Sequence, residues 1–284
     1  MSFNLRIIPR MDIKGPNLVK GIRLEGLRVL GEPEQYARHY YGQGADEISY
    51  MDCVASLYGR NSLDEVIHKA AENTFIPLTV GGGLRSTDDI RRVLKAGADK
   101  ICINTAALAN PAFVSEAAKI FGSSTVVVAI ETIKQQDGKY LAFTDNGREF
   151  TGKDAVQWAA EVEELGAGEI VVTSVDREGT GKGFDVDLLS AIVDSVSVPV
   201  IAHGGCGSID DVICLASNVK VSGVCLATAL HYEAIRDVSL KKRSGTEAEG
   251  NTQFLQKGGQ FKGVTPFTIP DLKRALRSAH IACR

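Results

Sequence analysis

The sequence predicts an α/β fold, a closed (βα)8 barrel of the TIM type made of two homologous half-barrels. Three observations carry this. Short apolar, β-branched runs alternate with helical patterns eight times along the 284 residues, and such runs suit parallel strands covered on both faces. The second half of the chain repeats the first at an offset near 120 residues. The length is close to the roughly 250 residues typical of one such barrel.

The repeat is ordered. Residues 76–90, IPLTVGGGLRSTDDI, pair with residues 198–212, VPVIAHGGCGSIDDV, at an offset of 122. The same offset pairs QYARHYYGQGADEI (35–48) with QWAAEVEELGAGEI (157–170). INTAAL (103–108) pairs with LATALH (226–231) after a one-residue slip. Asp12, closing RIIPRMD, falls opposite Glu131, closing VVVAIE.

Taken in order, strands are expected at 6–12, 47–52, 75–81, 100–104, 125–131, 169–174, 198–204 and 223–227. Helices are expected at 32–43, 61–73, 86–96, 110–121, 153–165, 185–196, 208–217 and 268–280. Ser86 and Ser208 stand at N-cap positions, each followed by two aspartates in the first turn, where carboxylates favour the positive end of the helix dipole. Trp158 falls in a helix and reads as core. Residues 14–31, with Lys14, Lys20, Arg23 and Gly15, Gly21 and Gly26, read as a long, mobile lid loop after the first strand. Residues 234–266 are polar and glycine-rich and read as a surface insertion within one domain spanning 1–284.

The composition narrows the function. A formal net charge of −3 with both signs interspersed gives no footprint for nucleic acid or an anionic membrane. No apolar run approaches the roughly 20 residues that span a bilayer, and no secretory leader is read at the N-terminus. The six cysteines include no CxxC pair and read as free thiols of a cytoplasmic protein. The five histidines form no HxxxH or HxH pattern, so no metal or cofactor is expected.

The chemistry gathers where strands end. Gly81-Gly82-Gly83 and Gly204-Gly205 each follow a strand and open a helix. Glycines there let the backbone approach an anion, although a plain tight turn would use them too. Two such turns at matching places, each followed by a strand ending Asn104-Thr105 or Ala227-Thr228, favour two phosphate grips. Arg85 suits a phosphate or a surface ion pair. Asp12 and Glu131 close opposite strands of one mouth and suit general acid–base work on a ligand stretched between the grips. Asp52 and Asp176 are candidate supporting residues. His203, also at the mouth, suits phosphate binding, proton transfer or packing. Arg6, Glu47, Lys100 and Glu169 open their strands and form a charged set at the opposite end, where residues ordinarily serve stability.

These segments resemble the cyclase-subunit family of imidazole glycerol phosphate synthase. The resemblance is carried by RIIPRMDIKGPNLVKG (6–21), GADEISYMDCVAS (44–56), IPLTVGGGLRS (76–86), GADKICINTAAL (97–108), GAGEIVVTSVDREGTGKGFD (166–185) and IAHGGCG (201–207). It implies a lyase of histidine biosynthesis. Ammonia attacks phosphoribulosyl formimino aminoimidazole carboxamide ribonucleotide, and the adduct is cleaved and closed to imidazole glycerol phosphate and aminoimidazole carboxamide ribonucleotide. It implies Asp12 and Glu131 as the acid–base pair. Phosphate contacts are implied at Gly83, Asn104, Thr105, Glu178, Gly179, Gly205, Ala227 and Thr228. Arg6, Glu47, Lys100 and Glu169 become a gate through which ammonia enters from a glutaminase subunit docked at the barrel bottom. The related isomerase of the pathway usually ends its fourth strand in Gly-Thr, whereas this chain has Asn104-Thr105.

The chain departs from the family pattern at the mouth. Glu131 stands for a usual Asp, Arg10 for a Cys, His203 for a Ser and Glu178 for an Asp. These departures keep a second reading open: a non-cyclising paralogue relaying ammonia from a glutaminase to a sugar amidotransferase in surface-polysaccharide synthesis.

Overall fold

The structure is a computed structural model that describes residues 4–54, 64–236 and 262–284. Its strands are β1 (Arg6–Lys14), β2 (Asn17–Ile22), β3 (Glu25–Gly31), β4 (Ile48–Asp52), β5 (Leu78–Gly81) and β6 (Lys100–Ile103). Then come β7 (Val126–Lys134), β8 (Tyr140–Thr144), β9 (Glu149–Asp154), β10 (Glu169–Ser174), β11 (Val200–His203) and β12 (Gly223–Leu226). Eight of them, β1, β4, β5, β6, β7, β10, β11 and β12, pair in parallel in that order, and β12 returns to β1. The barrel is closed, which leaves it no sheet edge. All eight expected strands are present, and β10 has the expected bounds.

The helices are α1 (Pro33–Gly42), α2 (Asp64–Ala71), α3 (Thr87–Ala96), α4 (Thr105–Ala109), α5 (Ala112–Phe121) and α6 (Ala155–Glu164). They continue with α7 (Val186–Val193), α8 (Ile209–Asn218), α9 (Thr228–Ala234) and α10 (Ile269–Ser278). The two expected caps form alike. Ser86 Oγ accepts from the Asp89 amide at 3.2 Å, and Ser208 forms a reciprocal capping box with Asp211. Residues 61–63 of the second expected helix and 237–261 of the expected insertion lie outside the described residues.

Period-2 alternation along the strands builds two separate cores. Ile7, Met11, Ile48, Ile101, Val128, Ile170 and Val224 face outward into the layer under the helices, with Trp158 fully buried there. Ile8, Cys102, Val127, Ala129, Val171, Ile201 and Cys225 face inward and fill the barrel.

Residues 14–31 differ from the expected lid loop. β2 folds back antiparallel on the upper end of β1, pairing Asp12 with Val19, and β3 pairs with β2. The second half does the same, with β8 pairing on β7 and β9 on β8. A hairpin after the first strand of each half therefore extends the repeat.

The first hairpin is fastened to the second half of the barrel. Its turn residues Arg23 and Leu24 have φ of 54° and 61°, costly for side chains of this size. Glu178 compensates: its carbonyl accepts from the Arg23 amide at 3.0 Å, and its carboxylate accepts from the Leu24 amide at 3.0 Å. That carboxylate also pairs with Lys20 in an almost fully buried ion pair.

Candidate active site

The inward residues stack in layers along the barrel axis. At the bottom, Arg6, Glu47, Lys100 and Glu169 form a closed ring of alternating charge. Arg6–Glu47 and Lys100–Glu47 are 3.0 Å apart, Lys100–Glu169 is 3.1 Å, and Arg6 pairs with Glu169. Thr79 Oγ1 donates to Glu47 at 2.6 Å. Above the ring lies a cavity lined by Ile8, Ser49, Thr79, Val127, Ile201 and Cys225 among others, with about 10 Å³ of free space. That is close to what one water-sized molecule needs.

Arg10 occupies the next layer, buried near the centre of the barrel. Its Nε donates to Asp12 Oδ1 at 3.0 Å, and its Nη1 lies 3.4 Å from His203 Nδ1. Thr173 Oγ1 lies 3.2 Å from the same nitrogen. Arginine has no acceptor, so the Arg10 bond requires an unprotonated Nδ1 on His203. Burial first, then the charges of Arg10 and Lys20, push His203 well below the usual histidine range.

At the mouth, Glu131 on β7 accepts from the Gly147 amide at 2.9 Å. Burial pushes its carboxyl up to about 7. Arg10 and the Gly147 bond pull it down, while Asp145 pushes it further up. The group therefore exchanges a proton near neutral pH, as general acid–base work needs.

A cavity of about 310 Å³ opens beside Glu131, lined by Arg10, Asp52, Gly82, Gly83, Arg85, Asn104, Thr105, Asp145 and Asn146 among others. Asn104 Oδ1 is buried with no protein partner, an acceptor suited to a ligand hydroxyl or N–H. Asp12 does not line this cavity but reaches it through Arg10. Asp176 accepts from the Lys134 amide at 2.9 Å, away from the cavity.

Gly83, Asn104 and Thr105 of the first half thus converge with Glu131 of the second on one cavity, together with Asp52 and Arg85. The second-half positions Glu178, Gly179, Gly205, Ala227 and Thr228 do not line it. The Glu178 carboxylate is committed to the hairpin, so it is poorly placed to meet a phosphate. The glycines have packing reasons of their own. A Cβ on Gly82 would lie 2.2 Å from the Asp52 carbonyl, and one on Gly205 would lie 2.0 Å from that of Gly183.

Sequence reasoning missed Asp145, Asn146 and Gly147, which reach the cavity and Glu131 from the β8–β9 turn. Asn146 Nδ2 donates to the Cys53 carbonyl at 2.7 Å, tying that turn across to the end of β4. The signal was present. Asn146-Gly147 between apolar runs is a strong short-range hairpin mark.

A barrel with a mouth carboxyl poised near neutrality and a charged ring at its base defines a class: a TIM-barrel enzyme handling a polar, proton-exchanging substrate. Comparison with known proteins narrows it. The profile of the histidine biosynthesis protein family matches residues 6–236. The chain is 57% identical over 208 residues to imidazole glycerol phosphate synthase subunit HisF of Legionella pneumophila, covering 73% of this chain and 98% of the relative. It is 44% identical over 250 residues to the subunit of the same name from Methanopyrus kandleri, covering 82% and 92%. The chain belongs to the histidine biosynthesis protein family and, within it, to the HisF subunits of imidazole glycerol phosphate synthase. These relatives favour the synthase reading over the non-cyclising relay.

Proposed function

We propose that the chain is the cyclase subunit that uses ammonia to convert phosphoribulosyl formimino aminoimidazole carboxamide ribonucleotide to imidazole glycerol phosphate and aminoimidazole carboxamide ribonucleotide. The observation that carries this reading is the buried Glu131 carboxyl, titrating at about 7, in a cavity shared with Gly83, Asn104 and Thr105. One substrate phosphate sits against Gly83 and Thr105. The other sits at Gly205, Ala227 and Thr228, with Gly179 beside it. Asp12 and Glu131 move the protons of cleavage and ring closure. Folded protein given the ribonucleotide substrate and ammonium salt at high pH should show loss of substrate absorbance. No turnover would overturn the reading.

The partner in this reading is a glutaminase on the barrel bottom, which delivers ammonia through the Arg6–Glu47–Lys100–Glu169 ring. Two observations support the placement. The ring sits on the axis below a cavity sized for one small molecule. Beside it the bottom face carries an edge-to-face aromatic pair, Tyr41 and Phe75, with ring centroids 6.1 Å apart and Phe75 80% exposed. Exposed aromatics of this kind anchor protein interfaces. No helix among the described residues is long and apolar enough to cross a membrane, which is compatible with the cytoplasmic location that we propose for this step.

A further inference from the structure

Among the described residues, Arg10 is the one inward charge between the bottom ring and the mouth that the ring-closing reading does not use. Its surroundings are specific. Asp12 from β1 and His203 from β11 accept from its guanidinium. Cys102 from β6, Cys225 from β12 and Glu131 from β7 lie within its electrostatic reach. Its backbone is fixed as well. His231 Nε2 donates to the Arg10 carbonyl at 3.0 Å, and His231 Nδ1 accepts from Tyr40 Oη at 2.6 Å.

This geometry treats the two mouth carboxyls unequally. Asp12 has a guanidinium bond and lies two residues nearer the mouth on the same strand. Glu131 accepts from the Gly147 amide and the Asn104 side chain, has no ion pair among the described residues, and sits in the cavity, where burial favours its neutral form. Environments that separate two nearby carboxyls assign one to each side of acid–base chemistry. We propose that Arg10 is a positioning residue that fixes Asp12 as the charged proton acceptor and leaves Glu131 as the carboxyl that delivers the proton.

The step balances. The nitrogen that closes the imidazole ring forms its bond to the formimino carbon and gives its proton to Asp12. The bond from that carbon to the aminoimidazole nitrogen breaks, its electron pair stays on nitrogen, and Glu131 protonates it. One proton is taken and one supplied, and exchange with solvent resets both carboxyls.

The inference rests on the cyclase reading, and its test separates the two. Wild type, R10Q and R10K are assayed with substrate and ammonium salt from pH 6 to 9, and the Glu131 carboxyl is titrated in each by carbon-13 NMR. R10Q should lose about 100-fold or more in kcat, within the range for displaced acid–base groups. Its Glu131 titration should move up, because the cation that holds it down is gone, and the pH profile of kcat should move with it. R10K keeps the charge without the planar fork, so it should leave the Glu131 midpoint near wild type while recovering only part of kcat. Equal loss at every pH with an unmoved Glu131 titration would mean a structural role and would overturn the proposal, as would unchanged activity in R10Q. If R10Q does not fold, R10K decides, since wild-type kcat there overturns the positioning role. Absence of turnover in wild type removes the cyclase reading itself, whatever Arg10 does.

Discussion

Replacing Glu131 with Gln tests the electrostatics of the mouth without relying on catalysis. Glu131 is 8% exposed, and its carboxyl moves from an ordinary 4.5 to about 7, with burial as the largest cause. At about 1.4 kcal/mol per pH unit, that difference is worth about 3 kcal/mol between the fully protonated and fully ionised limits. The sign follows from the direction. A carboxyl raised in the folded state contributes stability below about 4.5 and loses that contribution as pH rises through about 7. Weighting both states by their ionisation leaves about 2 to 3 kcal/mol of the loss between pH 5 and pH 8.5. Glutamine is nearly isosteric, cannot ionise, and its carbonyl can still accept from the Gly147 amide. The stability of E131Q relative to wild type should therefore rise by about 2 to 3 kcal/mol between those two pH values, read from urea unfolding. Parallel stability curves at both pH values would refute the assignment of Glu131 as a buried, easily protonated carboxyl. The same variant should lose at least about 100-fold in ammonium-driven turnover.

Three further outcomes follow from other parts of the molecule. His231, fully buried, is pushed down to about 4, chiefly by burial and then by Lys20. Its contribution is present above about 6.5 and is lost as pH falls toward 4, about 3 kcal/mol in all, so H231Q should flatten the acid side of the stability curve. Cutting the buried Lys20–Glu178 pair with K20M leaves a buried carboxylate without its cation and should cost about 3 to 5 kcal/mol by urea unfolding, whereas K20M/E178L should recover much of it. F75A should weaken binding of the glutaminase partner by about 2 kcal/mol or more by calorimetry, with ammonium-driven turnover unchanged.

How much was legible depended on whether the deciding physics was local. The eight strands and their order announce themselves as apolar β-branched runs, and the half-barrel repeat fixes which pair with which. The caps at Ser86 and Ser208 were readable because an N-cap needs only a hydroxyl and a following turn. The first hairpin was not readable. Its turn uses Arg23 and Leu24 at positive φ, where sequence rules look for Gly or Asn, and the compensation comes from Glu178, about 150 residues away. The second hairpin carries a local mark, Asn146-Gly147, with Asp145 and Asn146 at φ of 53° and 61° in its turn. The site divides in the same way. Glu131 and Asn104 were found from strand ends, and Arg10 was visible only as a residue out of pattern. One partner, Asp12, is two residues along the same strand, but the other, His203 on β11, comes within reach only once the barrel closes.

The axis shows why Arg10 and Glu131 belong together. Arg10 is only 5% exposed, so its guanidinium needs a compensating charge within contact distance. Asp12 supplies that charge at 3.0 Å. Two ionised carboxylates facing one guanidinium would leave the mouth negative and buried. Glu131 avoids this by holding its proton until about pH 7, and His203 stays neutral and offers its Nδ1 lone pair. The mouth is then close to neutral, as is the bottom ring with its two cations and two carboxylates. Between them lies space for one water-sized molecule, lined by Glu47 and Glu169 of the ring and by Ser49 and Thr79 among others. Ammonia travelling this path, as the proposed function requires, passes carboxylates whose charge Arg6 and Lys100 already neutralise.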